Sequence, residues 1–166
     1  MRVSWRRLAA FAVDYLVIAC YLGLLYMVGR SVGVTWVQTP WQAHLLGFTT
    51  LTLPVTLYFA LLEARGATLG KQVLGLRVTG HRGDPLPLDR SLLRSAVKFL
   101  PWELSHTALY RVDSGPLTTW QIVFSLSLLG AALDVLELFT PPHRPLYDRI
   151  SGARVSPFSS QVRSVL

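Results

Sequence analysis

Charge is what this sequence has least of. Only 15% of its 166 residues are Asp, Glu, Lys or Arg, where a soluble domain carries about 25%. Hydrophobic residues make up 51% and the mean hydropathy is +0.41. The deficit points to lipid as the solvent. Acidic residues are scarcest: nine Asp and Glu stand against sixteen Lys and Arg, for a net charge of +7. In a soluble protein that excess suggests nucleic acid. Here the bases lie between long apolar runs, with no basic helix or aromatic platform, so no nucleic-acid partner is expected.

Cysteine is nearly absent. Cys20 stands alone, which excludes an intramolecular disulfide and a cysteine metal cluster. It is expected to be a small buried hydrophobe. Val17–Cys20 loosely resembles a lipoprotein cleavage box, but Asp14 interrupts the apolar stretch and the run continues to Tyr26. The bases Arg2, Arg6 and Arg7 therefore read as the flank of a retained first span. The four histidines (His44, His81, His106, His143) have no ligand spacing, and no nucleophile-elbow or Ser-His-Asp pattern stands out. Gly66–Lys71 glances at a phosphate loop. It fails, because three residues separate the glycines instead of four and Gln72 replaces Ser/Thr. No cofactor, no metal and no enzyme activity are expected.

What is present is a set of long apolar runs in a chain of one-domain length. Spans are predicted at about 8–28, 43–62 and 118–139, each near the 20 residues a bilayer requires. Pro54 lies within the second span, where neighbouring helices can re-satisfy the backbone. Trp36 and Trp41 between the first two spans suit an interface. Residues 91–110 are ambiguous, because Arg94, Lys98, Glu103 and His106 interrupt them: they could span, re-enter or lie at the interface. Arginine at the N-terminus, in the 66–90 loop and in the tail wants the cytoplasm, and that requires an even number of crossings. The expectation is an all-α integral membrane protein with about four transmembrane helices and both termini cytoplasmic. Three crossings would leave the tail outside.

An internal echo supports this. Leu69–Thr79 aligns without gaps to Leu146–Ser156, with Leu, Gly, Arg and Val identical. Each copy follows a pair of apolar segments. The pattern implies two parallel repeats of helix, helix and short strand. Leu76–Thr79 and Arg154–Ser156 are expected together under the bundle.

Charges inside spans are costly and are functional candidates by default. Asp14 lies two helical turns after Arg7 on one face. It needs a proton, a cation or a basic partner, and Arg94 or Lys98 are candidates. Arg7 is placed to meet lipid phosphate. Asp134 and Glu137 are three apart on the last span and share a face; they could bind a cation or be solvated near the surface. Glu63 ends the second span and is expected at the interface.

Together these residues resemble the RDD family of membrane proteins, named for one arginine and two aspartates. Arg7, Ala10 and Asp14 match its first motif. Gly66, Thr68, Leu69, Gly70, Lys71, Gly75, Leu76 and Val78 match its second, with Glu63 before them and Gly83 and Arg94 after. Leu146–Val155 matches the last motif, with Asp148 as the second aspartate and with Tyr147 and Ala153 replacing the usual His and Thr. The resemblance runs from about residue 6 to 156. Residues 1–156 are thus the transmembrane domain and 157–166 a C-terminal tail. It implies a bacterial inner-membrane protein. The family has been proposed to act in transport, some members exchanging monovalent cations for protons. A structural role for Asp148 is expected, through an ion pair with Lys71 or Arg7.

Two functions follow. One is a monovalent cation/proton antiporter with Asp14 as the exchanging carboxylate, Arg94 or Lys98 tuning it, and a homo-oligomer supplying the path. The other is a non-transporting adaptor, assembly factor or lipid-binding module. Its basic loops would meet anionic lipid headgroups or a membrane protein partner at the bilayer surface.

Overall fold

The computed structural model describes residues 3–33, 37–111 and 118–158. Trp36, Arg2 and the tail base Arg163 lie outside them. The order of elements is α1 (Val3–Val32), α2 (Pro40–Gly47), a π-helical turn (Phe48–Thr52), α3 (Leu53–Ala64), α4 (Leu69–Val73), β1 (Leu76–Thr79), α5 (Leu88–Leu109), α6 (Thr119–Phe139), α7 (Leu146–Ser151) and β2 (Arg154–Pro157).

Capping and proline set the helix boundaries. Thr39 and Gln42 form a capping box that starts α2, and Thr118 and Gln121 do the same for α6. Pro54 lacks an N–H, so it leaves the Thr50 carbonyl without its helical donor. The chain answers with a π turn, in which the Leu53 N–H reaches back to the Phe48 carbonyl. The Tyr21 hydroxyl of α1 donates to the Thr50 carbonyl. The backbone at Pro54 is thus re-satisfied by a π turn and a neighbouring helix.

Three helices are long and apolar enough to cross a membrane: Val3–Val32, Pro40–Ala64 and Thr119–Phe139. Their leucines and valines are largely exposed on the outside of the bundle, as lipid-facing residues would be. Cys20 is exposed among them rather than buried, a correction to the sequence reading. It sits on an outward face of α1, where lipid suits a small thiol.

The ambiguous residues 91–110 form α5, a helix of 22 residues, about 33 Å long. It is too polar to count with the other three. It packs between α3 and α6 and runs the length of the α2–α3 helix. The Ser91 hydroxyl donates to the Ala60 carbonyl at one end, 2.7 Å away, and Glu103 meets Thr52 and His44 towards the other.

The internal echo is structural. Both copies form a short helix, a glycine in the left-handed region (Gly75, φ 61°; Gly152, φ 70°) and a strand. Only glycine takes that backbone without strain. The strands pair antiparallel, Val78 opposite Val155. Each short helix also packs on the first long helix of its own half, α4 on α1 and α7 on α5. Val78, Leu86 and Ala153 are buried together at the sheet, with Val155 against them.

Candidate functional site

Charged side chains converge where the long helices meet the short ones. Arg94 of α5 is buried and lies between two acids. Its Nε donates to Asp148 Oδ1 on α7 at 2.8 Å, and its Nη1 donates to Glu63 on α3. Glu63 also accepts from Lys71 Nζ of α4 at 2.8 Å, and Asp148 accepts from Arg7 of α1. Arg7, Asp148, Arg94, Glu63 and Lys71 thus form one alternating chain of charge that touches five elements. In a buried setting such pairing offsets the desolvation of each member. Burial raises the pKa of Asp148, but the guanidiniums of Arg94 and then Arg7 outweigh it and hold the carboxyl below its usual range.

One expectation is corrected here and another is narrowed. Glu63 is fully buried rather than interfacial, because two cations enclose it. Of the two partners expected for Asp148, Arg7 is the one it meets, while Lys71 is taken by Glu63.

Asp14 is fully buried but meets neither Arg94 nor Lys98. Its carboxylate accepts from the Tyr58 hydroxyl at 2.8 Å, the Thr68 hydroxyl at 2.6 Å and the Gly70 N–H at 2.8 Å. Three donors satisfy it without a cation. Thr68 is the N-cap of α4 and Gly70 lies in its first turn, so Asp14 pins that short helix onto α1.

Asp134 and Glu137 part company. Glu137 accepts from the Leu146 N–H at 2.6 Å and pairs with Arg149 at 2.7 Å, fixing the start of α7. Asp134 turns instead into a cleft of about 390 Å³ between α1, α5 and α6. Leu8, Phe11, Trp102, Leu128, Ala131 and Leu138 line it, and Lys98 faces it with Asp134. The Lys98 ammonium is caged by rings, 3.8 Å from the centroid of Phe59, 4.9 Å from Phe11 and 5.2 Å from Phe99. Among the described residues neither Lys98 nor Asp134 has a hydrogen bond or an ion pair. Of the nine charged residues singled out in the sequence, the other seven each have a hydrogen bond or an ion pair.

The pairing of His44 with Glu103 was not legible in the sequence. His44 Nε2 lies 2.8 Å from Glu103 Oε1, and the Thr52 hydroxyl donates to Oε2 at 2.6 Å. Glu103 lies off the face that Ser91, Arg94, Ser95, Lys98 and Ser105 share on α5, and His44 and Glu103 stand 59 residues apart, so no spacing in the sequence links them. Among the described residues no group of three or more His, Cys, Asp or Glu could hold a metal ion.

Apolar helices of membrane length, closed at one end by a buried ion network, define an integral membrane protein. The family model of the RDD family matches residues 2–152, nearly the whole chain, and the protein belongs to that family. Arg7, Asp14 and Asp148, the residues that the motif resemblance singles out, all bond across to short helices: Arg7 to Asp148 of α7, and Asp14 to Thr68 and Gly70 of α4. Comparison with curated proteins and with solved structures gives no match.

Proposed function

We propose that this protein is a lipid-binding membrane module whose site is the cleft between α1, α5 and α6. The observation that carries the reading is the unpaired Lys98 and Asp134 facing one apolar space. Both side chains are half-buried and neither has a hydrogen bond or ion pair among the described residues, so an occupant that pairs both would offset their partial desolvation. A lipid with a zwitterionic, amine-bearing headgroup has the matching chemistry: phosphate for Lys98, ammonium for Asp134 and an acyl chain along Leu8, Phe11 and Leu128. The cleft volume lies within the ordinary range of ligand sites.

Orientation follows from charge. Arg6, Arg65, Arg82, Arg90, Arg149 and Arg154 are exposed at the end with the sheet. At the other end only Arg30 and Arg111 are found among the described residues. By the positive-inside preference the sheet faces the cytoplasm, on the inner membrane of a bacterium, and α5 completes four crossings with its polar face turned inward.

Lipid-adduct mass spectrometry of the purified protein in neutral detergent tests the reading. Phosphatidylethanolamine is expected to bind more tightly than phosphatidylcholine, which has no N–H, and than phosphatidylglycerol, which has no cation. Equal binding of all three would overturn it.

Cation/proton antiport is a second reading, and Asp134 favours it as a free carboxylate beside a cation. The exchanging group is then Asp134 and not Asp14. Proton flux driven by sodium or potassium in liposomes, lost in Asp134→Asn and kept in a folded Asp14→Asn, would support it. No flux above empty liposomes would remove it.

A further inference from the structure

We propose that a second pocket, between the start of α1, the end of α6 and β2, binds a phosphate group through Arg7, Arg144 and Arg154. The pocket has a volume of about 620 Å³, and Ser4, His143 and Ser156 share its wall with the three arginines. Arg7 lines both this pocket and the lipid cleft, and the proposal stands whether or not that cleft takes a lipid.

Charge is the first argument. Among the described residues Asp148 is the one carboxylate on the wall, and both of its oxygens are taken, Oδ1 by Arg94 and Oδ2 by Arg7. Three guanidiniums therefore share a space whose single acid is already neutralised.

Unmet hydrogen bonding is the second. Arg144 anchors itself by donating from Nη2 to the Ala153 carbonyl at 3.1 Å. Its Nε is buried and has no partner. A buried N–H left unpaired is costly, and an oxyanion in the pocket would satisfy it. Arg154 is exposed at the mouth, on strand β2, and its side chain has no hydrogen bond or ion pair among the described residues. The guanidinium fork matches phosphate oxygens in pairs. The Ser156 hydroxyl supplies a further donor, while Ser4 already donates to the Leu138 carbonyl.

Placement is the third. Trp5 is exposed and stacks edge-on against Phe139, ring centroids 4.9 Å apart, on the same rim. Trp is the residue of the membrane–water boundary, which is where a phospholipid carries its phosphate. A soluble phosphate ion would present the same oxygens.

The test uses the full chain in neutral detergent with three probes: dioleoylphosphatidic acid, inorganic phosphate and dioleoylglycerol. Lipid binding is read by native mass spectrometry and phosphate binding by calorimetry. Phosphatidic acid is expected to bind, and Arg154→Gln to weaken it about tenfold, the loss of one charge-assisted contact. Arg154→Lys should fall between, because it keeps the charge and loses the fork. Arg154 is exposed, so its variants are expected to fold; Arg144→Gln is the second variant, compared at equal melting temperature. Inorganic phosphate bound with the same dependence on Arg154 would assign a soluble source, and binding of the lipid alone would assign the membrane. Phosphatidic acid bound no better than dioleoylglycerol would overturn the proposal, as would binding that neither variant changes. Dioleoylglycerol reports on the apolar cleft by itself, so a failure there leaves the phosphate result standing.

Discussion

Asp14 and Gly70 are made for each other. The Asp14 carboxylate accepts the Gly70 N–H at 2.8 Å, and the approach is possible because Gly70 has no side chain. A Cβ there would lie 2.0 Å from the Ala10 carbonyl oxygen and 2.9 Å from the Asp14 carboxyl carbon. The obstacle is α1 backbone, which cannot yield. Gly70→Ala is expected to undock α4 and lower stability by about 3 kcal/mol. Gly23→Ala, on the same long helix with nothing within 4 Å, should be close to neutral. Thermal melting of the two variants in one detergent checks the contrast.

The ion network makes a sharper demand. Glu63→Gln leaves Arg94 and Lys71 without a shared acid and is expected to cost about 3–5 kcal/mol. Lys71→Met also breaks its pair with Glu63. If the two side chains act as a unit, the double variant is less damaged than the sum of the single ones, by about 1 kcal/mol or more. Strict additivity in a melting cycle would show that they do not.

Acid should unlock the base of the bundle. The carboxyl of Asp148 is held below its ordinary value of 3.8 in the folded protein. A depressed carboxyl adds stability above the unfolded pKa, and the gain is lost as pH falls through the folded one. The wild-type melting temperature is therefore expected to drop below about pH 4. Asp148→Asn should start lower and lose less over the same range. Parallel curves would contradict the assignment.

The sheet register can be read by chemistry. Val78 and Val155 are directly opposed, a spacing that suits a disulfide. Val78→Cys with Val155→Cys should crosslink under mild oxidation. Leu76→Cys with Val155→Cys, two places out of register, should crosslink far less. Equal yields would argue against a fixed pairing.

How far the sequence carried this picture varies by element. The long helices were legible because lipid imposes a length and a composition. The paired strands were legible because the two halves echo each other at Gly75 and Gly152. The resemblance singled out Arg7, Asp14 and Asp148, and Arg7 was one of the two partners expected for Asp148, but nothing pointed to what Asp14 touches. That Asp14 would meet Thr68 and Gly70 depends on how α4 docks across more than fifty residues of chain. Spacing along one helix carries no such information. Glu63 looked interfacial because it ends a span, and it is the arrival of Arg94 from α5 and Lys71 from α4 that encloses it. Lys98 and Asp134 were both noted, yet their shared cleft needs α1, α5 and α6 in place.

The account rests on a division of labour, with Asp14 as scaffold and the Lys98–Asp134 cleft as the binding site. Phosphatidylethanolamine binding by native mass spectrometry, compared across wild type, Asp14→Asn, Asp134→Asn and Lys98→Met, tests it most directly. The predicted result is binding lost about tenfold or more in the Asp134 and Lys98 variants at unchanged melting temperature, with Asp14→Asn melting lower while its folded fraction still binds. Full binding in Asp134→Asn and Lys98→Met, with loss confined to a folded Asp14→Asn, would contradict it.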